Sequence, residues 1–253
     1  IEPTTSIMPI GGSITSAMRQ NSASNRYITW ETIKMTNLGL DMGLFNNKLN
    51  MSFDYFIKDT DDILLRVELP GVLGVTEPYQ NAGKVRNKGW ELALSWKDKI
   101  GKNFTYGVDF NLSDVKNEVV SMGNTADDFS GDQIRAVGYP IDAFWGFQAD
   151  GLYTVDDFDY DVNTGKYTPK KSTPVIEELR TKVQPGDIKY RDLDGDGEIT
   201  TKDDRTYIGS AIPRYTYSLG VNAAWKGIDL KVFLQGVGKC DGYAVSYTHL
   251  RAH

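Results

Sequence analysis

The 253-residue chain is poor in the residues on which cofactor sites and many active sites depend. Its single cysteine, Cys240, excludes an internal disulfide framework and a cysteine-based zinc cluster. The only two histidines, His249 and His253, lie at the very end, where we assign them no role. Without another histidine there is no Ser-His or Cys-His arrangement for nucleophilic catalysis, and glycine-rich phosphate loops are also missing. We therefore predict that the protein is not an enzyme.

Long apolar runs and blocks of basic residues are missing as well. No apolar stretch approaches the ~18 residues of a transmembrane helix, and the mean hydropathy is -0.40. Half of each barrel strand is polar, so a low hydropathy does not argue against a membrane barrel. The chain carries 28 basic and 34 acidic residues, a net charge of -6, with no basic face suited to DNA or RNA. We expect no nucleic-acid partner.

What the sequence does contain is strict alternation of apolar and polar residues in long segments. A period of two places one set of side chains on each face of a β-strand. Short polar turns join the segments in pairs and predict three hairpins. Their arms are Ile28 to Phe45 and Lys48 to Val67, Val85 to Lys97 and Asn103 to Val119, and Tyr215 to Trp225 and Ile228 to Leu234. Residues 1 to about 25, 69–82 and 122–138 are expected to be loops.

The lengths of the arms and of their connections favour a membrane barrel over a soluble sheet. Several arms far exceed the ~5 to 6 residues usual in globular strands. Short turns near 46–47, 98–102 and 226–227 alternate with long loops at 68–84, 120–142 and 154–206. Outer-membrane barrels have short periplasmic turns and long external loops in this order. The polar face, predicted to line the lumen, contains Asp41, Asp54, Glu91, Asp109, Asn111, Asn222, Asp229 and Gln235.

The strongest local motif is the acidic segment 192–203, DLDGDGEITTKD. Its spacing matches a twelve-residue calcium loop, in which hard oxygen ligands surround a turn at a glycine in position 6. The predicted metal-binding residues are Asp192, Asp194, Asp196, Glu198 through its carbonyl, Thr200 and Asp203. Ile199 is expected to anchor the loop to a core. The alternative is an acidic turn that binds no metal firmly. A bound Ca2+ is expected to be structural rather than catalytic.

Three stretches together resemble one family of membrane transporters. They are TNLGLDMGLFNNKL (36–49), NAGKVRNKGWELALSW (81–96) and the segment 185–241 around the acidic loop. They resemble the SusC/RagA class of TonB-dependent outer-membrane transporters of Bacteroidetes. The resemblance implies an all-β protein, part of an antiparallel barrel of about 22 strands with an N-terminal plug. It also implies energisation by TonB, a SusD-like surface lipoprotein as partner, and import of oligosaccharides or peptides across the Gram-negative outer membrane.

The chain departs from that family pattern at both ends. It contains no plug, TonB box or signal peptide. Its expected strands, roughly eight when the alternating segment Ala143 to Tyr153 is counted with the three hairpins, are too few to close such a barrel. We therefore predict that residues 1–244 are part of a TonB-dependent receptor barrel domain and that the sequence is a fragment. Residues 245–253, VSYTHLRAH, resemble a translated sequencing-adapter tail and are predicted to be non-native.

Two alternatives to the importer are compatible with the alternation. One is a secreted, calcium-stabilised β-sandwich that binds carbohydrate, since a soluble sheet with one buried face alternates in the same way. The other is a complete eight-stranded outer-membrane barrel. In an importer, aromatic residues of the external loops are candidates for stacking on sugar rings. They are Tyr79, Phe129, Tyr139, Tyr160 and Tyr167.

Overall fold

A computed structural model of the chain describes residues 3–10, 13–20, 25–66 and 77–243, with side chains described from residue 25 onward. The regular structure in these ranges is almost entirely β, as predicted, apart from two 3-10 turns at Val155–Asp157 and Glu177–Leu179. No helix in the same ranges is long and apolar enough to cross a membrane. The tail predicted at 245–253 lies outside the described residues and stays a prediction.

The strands fall into a set of long ones and a set of short ones. The long strands are β3 (Thr32–Leu44), β4 (Leu49–Arg66), β5 (Tyr79–Ile100), β6 (Phe104–Met122), β15 (Tyr215–Trp225) and β16 (Ile228–Gly238). The short strands are β1 (Pro3–Ile10), β2 (Ser13–Gln20), β7 (Asp128–Ser130), β8 (Gln133–Arg135), β9 (Ala143–Phe147), β10 (Ala149–Leu152), β11 (Phe158–Asp161), β12 (Lys166–Pro169), β13 (Ile188–Tyr190) and β14 (Arg205–Gly209).

The long strands form one antiparallel sheet in the order β16-β15-β6-β5-β4-β3. Each strand pairs with the next long strand along the chain, as in a barrel wall. The chain leaves the sheet after β6 and returns to the same neighbour at β15. With 22 residues, β5 is longer than the arm predicted from the alternation.

Strand register collects the apolar side chains on one face of this sheet, here called the outward face. Directly paired residues share a face. One row across all six strands reads Met42, Met51, Leu94, Phe110, Leu219 and Leu234. The adjacent row on the opposite, inward face reads Asp41, Ser52, Ala93, Asn111, Ser218 and Gln235. The register therefore aligns the alternating residues of all six strands, which gives the sheet one apolar and one polar face.

The outward face is not covered by a second layer of protein. Leu38 is 73 % exposed, Leu234 59 % and Trp225 53 %. A β-sandwich would bury such a face against a second sheet about 10 Å away. In the described part of the chain the alternation thus marks a membrane-type sheet rather than half of a soluble sandwich.

Aromatic residues bound the outward apolar face at both ends. Toward the long loops, Tyr55 pairs with Trp90; toward the short turns, Phe104 pairs with Trp225. Along β6, the distance from Phe104 to Asp114, which opposes Trp90, is about 33 Å at about 3.3 Å per residue. A strand tilt of about 40° reduces this to a height of about 25 Å, the height of the apolar band of outer-membrane barrels.

The connections differ in length between the two ends of the sheet, as predicted. Lys226 and Gly227, with φ of 48° and 87°, form the two-residue turn between β15 and β16. Positive φ at both positions is the type I′ geometry, whose twist matches that of the strands. Asn46 and Asn47 also have positive φ, which asparagine tolerates better than most residues. At the other end, residues 123–214 separate β6 from β15.

Most of that long connection forms a separate compact unit of residues 129–134 and 142–211. It contains the sheet β14-β9-β8-β7 and the pairs β10-β13 and β11-β12. Its core includes Tyr153, Phe158 and Val175, which are at most 5 % exposed. The Tyr153 hydroxyl donates to the carbonyl of Pro174 at 2.7 Å. This unit therefore buries apolar side chains as a soluble domain does.

Four segments that we predicted to be loops contain strands. Segment 69–82 contains the start of β5, Tyr79 to Ala82, and segment 154–206 contains β11, β12, β13 and the first residues of β14. Within residues 1–25, β1 pairs with β2 from Pro3↔Gln20 to Ile10↔Ser13. The missed signal is the dipeptide Gly11-Gly12, which is typical of two-residue hairpins, between stretches with strand-favouring Thr and Ile. Within 122–138, β7 and β8 form the edge of the smaller sheet. These strands are three residues each, too short for periodicity to indicate.

Candidate functional site

The first candidate site is the inward face of the six-stranded sheet. All eight residues that we predicted for the lumen lie on this face, because the register places each on the same side of its strand. A concavity of about 880 Å³ lies against this face. Polar residues lining it include Asp54, Glu91, Asn111, Thr216 and Gln235.

Hydrogen bonds between neighbouring strands hold many of the inward polar groups in place. Asn111 donates to the Ser218 hydroxyl at 3.0 Å, and the hydroxyls of Ser113 and Thr216 are 2.5 Å apart. The Ser95 hydroxyl donates to Asp109 at 2.7 Å. The wall presents hydroxyl, amide and carboxylate groups in fixed positions, which suits hydrogen bonding to a polar ligand rather than to an apolar one.

Glycines on the inward face leave room for these side chains to lie across the sheet. A Cβ added at Gly39 would be 2.7 Å from Oδ1 of Asp54, and one at Gly107 would be 2.8 Å from Oδ1 of Asn222. Asn37 also donates to Asp54, at 3.2 Å. The missing side chains of Gly39 and Gly107 therefore leave the space that Asp54 and Asn222 occupy.

The second candidate site is the acidic loop, which precedes β14 in the smaller unit. Carboxylate oxygens of Asp192, Asp194 and Asp196 lie within 4.8 Å of one another. Oxygens so close can share a hard cation such as Ca2+. Among the described residues, Glu198 and Asp203 do not add their carboxylates to this group.

Backbone hydrogen bonds hold the three carboxylates in tight turns. Asp192 accepts from the N–H of Gly197 at 2.8 Å and of Gly195 at 2.6 Å, and these bonds lower its pKa, that of Gly197 most. The N–H of Asp196 lowers the pKa of Asp194, but desolvation and the charge of Asp196 outweigh it, so the net pKa shift is upward. A bound cation would relieve this repulsion.

Two buried residues fix the acidic loop to the unit. Ile199 is 3 % exposed, and its N–H donates to the Val175 carbonyl at 3.2 Å. Asp204, 1 % exposed, accepts from the N–H of Leu193 and of Thr200, each at 2.7 Å. Sequence spacing gave Asp203 as the twelfth residue of the loop and did not indicate the buried role of Asp204, because two consecutive aspartates give no signal of which one turns inward. The Asp203 carboxylate is exposed and lies 3.5 Å from Nζ of Lys202.

Most of the aromatic residues suggested for sugar stacking contact a neighbouring side chain. Tyr160 and Tyr167 are opposite each other in the β11-β12 hairpin, with ring centroids 4.8 Å apart. Phe129 is next to Trp145, with centroids 6.0 Å apart. Tyr79 lies at the start of β5 beneath the guanidinium of Arg66. The rings of Tyr79, Phe129, Tyr160 and Tyr167 are therefore each in contact with another side chain.

Comparison with known proteins decides what this two-faced sheet belongs to. The sequence model of the family described as "TonB dependent receptor-like, beta-barrel" matches residues 3–248. The chain belongs to the TonB-dependent receptor β-barrel family. The resemblance drawn from the three sequence stretches is confirmed. This is a family of outer-membrane proteins of Gram-negative bacteria.

Individual members of the TonB-dependent receptor family match over much of this chain. "TonB-dependent receptor P3" of Formosa agariphila is 32 % identical over 237 residues, which is 90 % of this chain and 22 % of the relative. "TonB-dependent receptor SusC" of Bacteroides thetaiotaomicron is 29 % identical over 155 residues, 55 % of this chain and 15 % of the relative. The chain therefore spans about a fifth of the length of these TonB-dependent receptors.

A solved structure confirms the barrel-wall fold of this TonB-dependent receptor chain. The "RagAB peptide importer in the 'open-open' state" superposes with a TM-score of 0.66 at 19 % identity, over 94 % of this chain and 24 % of that one. The six-stranded sheet is therefore part of an antiparallel barrel, and it stays open because the chain covers only part of the wall. The names of these relatives are those of receptors and of an importer, not of enzymes.

Proposed function

We propose that this chain forms part of the wall of an energised outer-membrane importer of oligosaccharides or peptides. The observation that carries the proposal is the two-faced sheet: an uncovered apolar face outside and a polar wall inside, with short turns at one end only. An apolar face suits contact with lipid, and a polar face suits a water-filled path for a hydrophilic solute. The proposal assigns the chain no catalytic step.

The substrate class and partners rest on family membership together with the chemistry of the inward face. A structural neighbour is a peptide importer, which supports peptides as candidate cargo, and the resemblance to the SusC/RagA class implies oligosaccharides as the other candidate. Both cargo classes present hydroxyl or amide groups that match the inward side chains. We propose a SusD-like lipoprotein as surface partner and the TonB complex as energy source, acting through parts of the parent protein beyond this chain.

Uptake measurements on the organism that carries the parent gene test this function. Cells with the gene deleted are compared with cells complemented by the parent gene, using a labelled pool of plant oligosaccharides and a labelled pool of tryptic peptides. We expect deletion to abolish uptake of at least one pool, and a protonophore to abolish it in complemented cells. Unchanged uptake of both pools after deletion would contradict the proposal.

A variant pair links uptake to the inward face. Glu91→Gln and Asp54→Asn together remove two carboxylates that face each other across β4 and β5. We expect them to change uptake without lowering the amount of protein in the outer membrane. Lys48→Gln, at the short-turn end, is the control, and it is expected to leave uptake unchanged.

We propose also that the acidic loop binds calcium as a structural ion. The convergence of Asp192, Asp194 and Asp196 within 4.8 Å supports this. The carbonyl of Glu198, the hydroxyl of Thr200 and the carboxylate of Asp203 are the proposed further ligands, following the loop spacing. Because Ile199 fixes the loop to the core around Val175, a bound ion would stabilise the whole unit.

Thermal melting of the parent protein in calcium and in chelator tests the site. We expect calcium to raise the melting temperature of the loop unit, and Asp194→Asn to reduce that gain. Asp161→Asn is the control, because Asp161 accepts hydrogen bonds in another turn of the same unit but lies outside the acidic loop. A calcium gain that is absent in the parent protein, or equal in the Asp194 variant, would contradict the site.

A further inference from the structure

The outward face changes from apolar to charged just beyond its aromatic row toward the long loops. After the row of Tyr55 and Trp90, the next outward row contains Thr36, Ile57, Lys88 and Lys116, and the one beyond contains Lys34, Asp59, Arg86 and Glu118. With Asp61 and Lys84, the charged members of these rows are called the rim belt. It holds five cations (Lys34, Lys84, Arg86, Lys88, Lys116) and three anions (Asp59, Asp61, Glu118).

Ion pairs occupy every carboxylate of the rim belt. Arg86 makes two parallel bonds to Asp59, each 2.7 Å. Lys84 lies 3.0 Å from Asp59 and 2.9 Å from Asp61. Lys34 lies 2.8 Å from Asp61. With Glu118 included, the rows farther from the apolar face hold three cations and three anions, so their formal charges sum to zero, although Glu118 pairs with Lys116 of the nearer row.

The row nearest the apolar face is the one left with excess positive charge. Lys88 is directly opposite Lys116 in the β5-β6 register, and like charges at directly paired positions destabilise a sheet. Lys116 lies 2.7 Å from Glu118. Lys88 is exposed, and its ammonium group makes no hydrogen bond and lies within ion-pair distance of no carboxylate in the part of the chain that the structure describes, although Glu118 is near enough to feel its charge. An anion between the two lysines would turn this repulsion into attraction.

The level of this row relative to the membrane indicates which anion lies beside it. If the proposed function holds, Trp90 and Tyr55 mark the edge of the hydrocarbon on the side of the long loops, which is the external side. Lys88 and Lys116 are two residues farther along their strands than Trp90 and its partner Asp114, about 7 Å along the strand. Lipid headgroups lie at this level, and clustered basic side chains bind their phosphates.

We propose that Lys88 and Lys116 bind the phosphate of a lipid headgroup in the external leaflet. Two ammonium groups on neighbouring strands donate hydrogen bonds to oxygens of one phosphate, while the acyl chains of the same lipid lie along the apolar rows below. Arg86 is held in place by Asp59, which accepts hydrogen bonds from its Nε and Nη2. The inference rests on the proposed function, because it requires the outward face to lie in a membrane.

Lipid binding to the parent receptor tests the site directly. The receptor is purified, placed in phosphatidylcholine nanodiscs, and titrated with diphosphorylated lipid A under native mass spectrometry. The variant K88Q/K116Q is compared with K58Q/K97Q, which loses the same charge from the inward face, where Lys58 pairs with Asn87 and Lys97 with Gly107. At about 1 kcal/mol for each basic residue near the surface, we expect about 30-fold weaker binding for K88Q/K116Q. The control is expected to match the parent.

Additional measurements distinguish binding of a lipid from binding of a free anion, and loss of binding from misfolding. Dephosphorylated lipid A is expected to bind the parent weakly, and inorganic phosphate in excess is expected not to displace the lipid. K88R/K116R is expected to retain binding, and heat-modifiable gel migration verifies that every variant is folded. Equal binding by K88Q/K116Q and the parent, equal loss in K58Q/K97Q, or displacement by free phosphate would each overturn the proposal. If the outward face proves to lie in lipid while lipid A binding is unchanged, only this inference fails.

Discussion

The six-stranded sheet and the loop unit treat apolar side chains in opposite ways. In the loop unit, Phe158 is 5 % exposed and Val175 is fully buried. In the sheet, Leu38 and Leu234 on the outward face remain more than half exposed. The loop unit is built for water, with a small sealed core, whereas the sheet keeps its apolar surface for a second, non-aqueous environment. One chain therefore folds in two solvents, and substitutions are expected to act differently in each region.

The largest expected effect is on strand packing in the sheet. A Cβ at Gly89 would lie 2.3 Å from the carbonyl oxygen of Asp114 and 3.0 Å from Cα of Val115. Both are backbone atoms, so Gly89→Ala requires β5 and β6 to separate. We expect it to destabilise the barrel by more than about 3 kcal/mol, measured as loss of the heat-modifiable folded form of the parent protein.

Gly220→Ala is the matched control for this change. Gly220 also faces inward, but its added Cβ would lie 3.7 Å from Cβ and 3.9 Å from the carbonyl oxygen of Asp109, and 3.9 Å from Cδ2 of Phe233, all of which are ordinary contacts. Equal loss of the folded form in both variants would show that any side chain is disruptive on this face, and the argument from the close approach at Gly89 would fail.

The next effect compares one kind of substitution, Phe to Ala, in the buried core of the loop unit and on an exposed face of the sheet. Phe158→Ala, in the core of the loop unit, is expected to cost about 3–5 kcal/mol. Phe233→Ala in β16, on the inward face of the sheet where the residue is 64 % exposed, is expected to change stability by less than about 0.5 kcal/mol. Hydrogen exchange measured segment by segment in the parent protein reports both values. Similar protection changes at the two sites would contradict the contrast.

A charge placed on neighbouring residues of one strand sharpens the same contrast within the sheet. Leu94 is in the middle of the apolar rows, and Ala93 faces inward. Leu94→Arg is expected to destabilise the refolded parent protein in lipid bilayers by about 2–4 kcal/mol, the cost of Arg at the membrane midplane. Ala93→Arg should cost much less. Urea titrations of the two variants compare them, and a larger cost for the Ala93 variant would refute the assignment of the faces.

The smallest effect concerns the pH dependence of the loop unit. The pKa of Asp194 is raised, so the metal-free loop favours the protonated carboxyl group. The stability that this protonation contributes is lost as the pH rises through the raised pKa of the folded state. A bound cation requires the ionised form. We therefore expect the stabilisation by calcium to decrease on acidification and to begin decreasing at a higher pH than for an ordinary aspartate. Calorimetric titrations at several pH values measure this; a calcium affinity that rises on acidification would contradict it.

Sequence alternation predicted the long strands because a period of two is a strong signal over ten or more residues. It also predicted which of Leu94 and Ala93 faces each way, since one residue fixes the face of a whole strand. The β1-β2 hairpin was missed because its polar segments do not alternate. Asp204 was missed because its role depends on burial beside Leu193 and Thr200, which only the folded loop defines. The extensions of β5 before Val85 and beyond Lys97 were missed because Tyr79 to Lys84 and Asp98 to Ile100 do not continue the alternation of apolar and polar residues.

The most direct test of the account asks what surrounds the outward face. Cys240 is replaced by serine, and a nitroxide spin label is attached at Leu94→Cys or at Ala93→Cys in the parent protein in native-like bilayers. The account predicts that the label at position 94 collides more with oxygen, which concentrates in lipid, and that the label at position 93 collides more with a water-soluble nickel chelate. A label at position 94 that meets the chelate as often as the one at 93, or neither reagent, would contradict it.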